Sequence, residues 1–108
     1  MRCPKAADPR VNAKNRQKTI DRFGFGPADV ANPPRGFWED KAERWKLPVK
    51  LARLRRCGNC GVYDITEKAI ECGLASWDGE LGYCRGHDFT CSALRVCNTW
   101  SPGGPVME

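Results

Sequence analysis

The chain has 108 residues, 41% of them hydrophobic, with 18 Lys and Arg against 13 Asp and Glu. That is enough for one compact domain and too little apolar material for a large conventional core, so something else must help to hold the fold. The N-terminal stretch Met1-Arg2-Cys3-Pro4-Lys5 leads into polar and charged residues with no apolar run, which argues against a secretory signal or a membrane span and makes a reducing cytosol the default.

Residues 1–56 hold 15 Lys and Arg against 6 acids, a net of +9, whereas residues 57–108 hold 3 against 7, a net of −4. Prolines 4, 9, 27, 33, 34 and 48 interrupt the first part and favour extended segments. Residues 1–48 therefore read as an extended, basic, proline-rich arm with one or two short helices. Residues 11–23 have helix-compatible composition, but Val11, Ile20 and Phe23 are too sparse to define an apolar face. Residues 36–47 are better patterned, because Trp38, Ala42 and Trp45 fall on one side, Glu39 and Asp40 come early and Pro48 stops the helix. The two tryptophans must bury against something, either the rest of this chain or the pocket of a partner protein.

Residues 50–56 alternate partly and fit a strand or a helix entering a second region, 49–108. Asp64-Ile65-Thr66-Glu67 carries a helix-capping pattern, with Gly73 placed to end the short helix that follows. A glycine-rich, loop-dominated stretch comes next. The expected fold class is a small, metal-stabilised, loop-rich domain with little regular secondary structure (short helices and small β-hairpins), preceded by the basic arm.

Seven cysteines support metal stabilisation. The number is odd, and Cys57-x-x-Cys60 suits a metal knuckle or a redox pair better than a structural bridge. Only one such knuckle exists, which departs from the paired knuckles of a zinc ribbon. Cys57, Cys60, Cys84 and His87 nevertheless make a Cys₃His spacing for Zn²⁺, although His87 between Gly86 and Asp88 also reads as a solvated imidazole. Val62 and Tyr63 follow Cys60, Trp77 and Leu81 approach Cys84, and Leu94, Val96 and Trp100 bracket Cys97, as the wall of a cofactor cavity would require.

Cys57-Gly58-Asn59-Cys60-Gly61-Val62-Tyr63, the run from Trp77 to Cys84, and Val96-Cys97-Asn98-Thr99-Trp100 together resemble the cluster-binding motifs of the high-potential iron-sulfur proteins. The resemblance implies a [4Fe-4S] cluster held by Cys57, Cys60, Cys84 and Cys97, with Tyr63, Trp77 and Trp100 as shields. The separation of Cys60 from Cys84 is longer than is usual in that family, which leaves Cys72 as an alternative third ligand. Cys72 and Cys91 have no family counterpart; they read as buried apolar thiols or a disulfide, with Cys91 also an alternative ligand. Cys3 reads as a free thiol.

Catalytic furniture is thin, with one histidine, no nucleophile-elbow serine and no phosphate-binding glycine loop, so the expectation is a non-enzyme. Three roles remain open: a structural protein whose arm, residues 1–48, binds other subunits of a larger assembly; a one-electron carrier, as the family resemblance implies; and a zinc-containing nucleic-acid module using Arg53, Arg55, Arg56 and the lysines of 11–22. Small clamping proteins of bacteriophage tails and necks share the first architecture, and some phage tail proteins bind iron-sulfur clusters. The leading expectation is accordingly a virion component assembled in the host cytoplasm, with a cytoplasmic protein as the alternative.

Overall fold

The computed structural model describes residues 2–108, a few short helices around a small three-stranded antiparallel sheet. Helix α1 spans Pro9–Phe23. Asp8 caps it, accepting from the Arg10 backbone N–H at 2.9 Å, Pro9 occupies the first turn, and Gly24 ends it at φ 61°. A side chain at Gly24 would also collide with the Lys41 ammonium, 2.6 Å from the position of a Cβ. Helix α2, Phe37–Trp45, ends at Lys46 in the left-handed region, and α3, Val49–Ala52, is a single turn that settles the strand-or-helix alternative after Pro48. Helix α4, Glu67–Glu71, starts two residues later than an Asp64 cap implies, because Thr66 is the N-cap, its hydroxyl accepting from the Ala69 N–H at 3.3 Å.

The sheet is ordered β1 (Tyr63–Asp64), β2 (Leu81–Cys84), β3 (Phe89–Ser92). Tyr63 lies opposite Cys84 in the first pair, and Gly82 opposite Cys91 and Cys84 opposite Phe89 in the second. Val106 near the C-terminus pairs with β1, its N–H donating to the Tyr63 carbonyl at 2.7 Å.

The expected extended arm is corrected. Residues 9–23 form a helix that lies along β3, and they do so with amides rather than apolar side chains. Asn12 Oδ1 accepts from the Thr90 N–H at 2.7 Å, and Asn15 Nδ2 donates to the Asp88 carbonyl at 2.7 Å. An edge strand's free backbone groups are thereby capped, which explains why the hydrophobic pattern could not reveal the docking. Beyond α1 the chain runs beside residues 96–98: Gly26 and Val96 exchange hydrogen bonds at 3.1 and 2.8 Å, and the Asn98 N–H donates to the Phe23 carbonyl at 2.7 Å. Trp38 and Ala42 pack on Ala52 and Val96 in a small core of their own, so Trp38 buries within this chain. Core side chains thus come from both sides of the boundary at residue 48.

Cys3, read as a free thiol, is bonded to Cys72, because the folded-back N-terminal segment crosses α4. The bridge closes a loop of 69 residues. Chain-entropy reasoning puts its contribution at about 4 kcal/mol. Replacing Cys3 by Ser is expected to lower the unfolding free energy by up to that amount in denaturant titrations, and dithiothreitol should bring wild type to the variant's midpoint without changing the variant.

Asp64, buried on β1, accepts from Arg85 Nε at 2.9 Å and the Thr66 N–H at 2.8 Å. Burial alone would raise its pKa, but hydrogen bonds from Thr66 and the Arg85 guanidinium outweigh burial and hold it below the usual carboxylate value. A folded-state pKa below the unfolded one stabilises fully above about pH 4 and is lost as the pH falls through the folded value. Asp64→Asn should therefore cost about 1–2 kcal/mol at neutral pH. The gap from wild type should close in thermal melts taken below the carboxylate range.

Candidate metal centre

Five cysteines remain unbonded, Cys57, Cys60, Cys84, Cys91 and Cys97, and all five are buried. They line one cavity of about 290 Å³. Cys57 opens a 3₁₀ turn, Cys57–Asn59, and Cys60 leaves it. That turn is clamped from three sides: the Cys57 N–H donates to Arg95 O at 2.6 Å, the Gly58 N–H to Ala93 O at 3.0 Å, and the Asn59 amide to Leu54 O at 2.8 Å. Cys84 ends β2, Cys91 lies within β3, and Cys97 follows Val96 in the segment held by residues 23–26.

Most of the rest of the wall is apolar, with Phe25, Val62, Tyr63, Phe89 and Trp100, and His87 and Thr99 are its polar members. Phe25 meets Phe89 edge-on at 5.0 Å between centroids. Trp100 is held over the turn by its indole N–H, which donates to Asn59 Oδ1 at 2.8 Å and Arg56 O at 3.1 Å. The Tyr63 hydroxyl donates to the Gly79 carbonyl at 2.9 Å, and the Tyr63 ring covers Gly82 so closely that no Cβ fits there.

Of the residues expected from the sequence, Cys57, Cys60, Cys84, Cys97, Tyr63 and Trp100 come together, and so do the alternatives His87 and Cys91. Cys72 does not, being tied to Cys3. Trp77 is corrected as a shield: it is 77% exposed at the turn before β2, and Leu81 and Leu94, expected beside the cysteines, also face solvent. Proximity in sequence to Cys84 misled here, because β2 carries the chain from that outlying turn to the cavity. Phe25 and Phe89 also line the chamber, outside the residues the sequence points to, and the alternating Phe89-Thr90-Cys91-Ser92 pattern is the available signal for Phe89.

Burial pushes the Cys84 thiol up to about 12, against hydrogen bonds from the His87 and Gly86 backbone N–H groups. Burial also raises Cys97, against the Thr99 side chain and N–H, and Cys91 is raised well above the ordinary thiol value by its hydrogen bond with Cys57 and by burial. At Cys84, Cys91 and Cys97 the surroundings thus favour the neutral thiol. His87 packs on Phe23 with 4.5 Å between centroids, and its Nε2 lies 2.7 Å from Thr99 Oγ1, which is in turn 3.2 Å from the Cys97 sulfur. Burial and the Lys18 charge lower its pKa.

Among the described residues no three of His, Cys, Asp or Glu are drawn around a single point as one metal ion requires; the thiols line a chamber instead. Comparison with known proteins adds no relative: no family model, no curated protein and no solved structure matches the chain. Gly82→Ala should displace the Tyr63 ring from the chamber wall. A loss of about 1–3 kcal/mol is expected in urea unfolding. Thiol-reactive dye should also reach the buried cysteines faster under native conditions.

Proposed function

We propose that this chain is a small [4Fe-4S] protein in which the cluster is a structural core, and that it serves as an assembly component of a larger particle such as a phage tail or neck. The observation that carries the reading is the convergence of five unbonded, buried thiols on one apolar chamber of about 290 Å³. Four thiolates on a zinc ion sit at about 2.3 Å from it and enclose little more than the ion. A chamber of this volume suits a larger polynuclear group. Backbone N–H groups directed at Cys84 and Cys97 are the donors that cluster-ligating sulfurs use.

The donor set fits Cys57, Cys60, Cys84 and Cys97 as ligands, with Tyr63, Phe89 and Trp100 excluding water. A cluster held there would supply four iron–thiolate cross-links and a one-electron couple. Cross-links of that kind between segments far apart in sequence favour a structural use of the group.

Assembly into a particle is supported by two features outside the chamber. The solvent side of α1 presents Arg10, Lys14, Arg16, Lys18 and Arg22 as a basic face for acidic subunit surfaces. The Cys3–Cys72 disulfide suits an oxidising medium, which a released particle meets and a cytosolic carrier does not. No described helix is long and apolar enough to cross a membrane.

Anaerobically purified protein should contain about four irons and four sulfides per chain. Cys97→Ser should lose the cluster, whereas His87→Ala should keep it. Zinc without iron, lost with His87 and retained with Ser at 97, would replace this reading by the zinc module. A cluster that cycles reversibly in voltammetry without loss of iron would move the role to electron transfer.

A further inference from the structure

Three large apolar side chains stand in solvent around the start of β2: Trp77, Leu81 and Leu94 are 77%, 47% and 59% exposed. Leu81 and Leu94 line a groove of about 530 Å³ whose charged lining residues, Asp78 and Glu80, are both acidic. The turn that carries Trp77 is firmly built. Asp78 Oδ1 accepts from the Ser76 hydroxyl at 2.6 Å and the Glu80 N–H at 3.0 Å, the Tyr63 hydroxyl donates to the Gly79 carbonyl at 2.9 Å, and the Ala93 N–H donates to the Glu80 carbonyl at 2.9 Å. The other tryptophans are buried or half-buried. An exposed indole on a rigid turn loses little conformational freedom on binding, which is the condition for an interface anchor.

We propose that this groove receives the outer face of α1 from a second copy of the chain. The inference rests on the assembly reading, names the chain itself as a partner, and makes no use of the cluster. Charge selects this occupant: residues 57–108 carry a net of −4 and residues 1–56 a net of +9. On α1, Arg16 and Ile20 lie one turn apart and both are exposed, so that a cation stands beside an aliphatic side chain. The groove offers the complement, the Glu80 carboxylate beside two leucines and an indole. A guanidinium can pair with that carboxylate and stack on that ring. Within one chain the two faces do not meet. Among the described residues the ion pairs are Arg10–Asp8 and Arg85–Asp64, so neither Glu80 nor Arg16 has a partner of opposite charge. Two different surfaces in contact make a head-to-tail association, which continues into a ring or a filament.

Sedimentation equilibrium of the purified protein should show a mass that rises with concentration at low salt and falls toward the monomer as salt is added. Glu80→Arg and Arg16→Glu should each be monomeric alone, because like charges then oppose each other, and their equimolar mixture should associate again. Recovery in the mixture also shows that both variants are folded. Trp77→Ala should raise the dissociation constant at least about tenfold. A wild type that stays monomeric at millimolar concentration, single variants that associate as wild type does, or a mixture no more associated than its parts would each overturn the inference. The readings beneath it fail by other signs: reversible voltammetry without loss of iron ends the assembly reading, and absence of iron and sulfide ends the cluster reading, whichever way the sedimentation falls.

Discussion

Sulfur buried without a compensating charge is the constraint around which this chain is organised. Neutral thiols are small and apolar and can line a core cheaply, but as thiolates in the same place they need cations or well-aimed N–H groups. The fold supplies both surroundings at once. Its floor is a three-stranded sheet, its sides are the 57–60 turn and the 96–100 segment, and Phe25 closes it from the N-terminal part. Backbone hydrogen bonds tie its sides together, from the Cys57 N–H to Arg95 O, between Gly26 and Val96, and from the Asn98 N–H to Phe23 O.

The basic residues are part of that masonry as well as of the surface. The Arg55 guanidinium lies between the Trp45 and Trp100 rings, 4.9 and 4.5 Å from their centroids, and Arg56 lies 4.6 Å from that of Trp38. Trp45 in turn donates to the Asn98 carbonyl at 2.9 Å, beside Cys97. Lys41 is almost wholly buried, with its ammonium on the Gly24 carbonyl at 2.9 Å and near the Phe37 ring. The positive half of the sequence therefore includes cations that grip aromatic rings and carbonyls as well as those on the outer face of α1.

What the sequence disclosed was what local patterns encode. Cys57-x-x-Cys60 is a turn motif, Cys97-x-x-Trp100 a closing segment, and the spacing of Trp38, Ala42 and Trp45 a helix face, and each has its physical cause within a few residues. The Thr66 cap belongs to the same class. The features that stayed hidden depend on contacts between distant segments. Asn12 and Asn15 look like ordinary surface residues until they meet β3, Phe25 is an isolated aromatic among prolines and glycines, and Cys3 finds Cys72 only once α1 has folded back. Trp77 failed in the opposite direction, since a strand of four residues separates its turn from the cysteines.

The chamber draws its walls from Phe25 at one end of the sequence and Trp100 near the other. It consequently has no existence on a nascent chain until Trp100 has cleared the ribosome and the hairpin of β2 and β3 has met the segment after α1. A group bound there, as proposed above, could be enclosed only after those segments had met, so Phe25 and Cys57 would wait on residues made much later in translation.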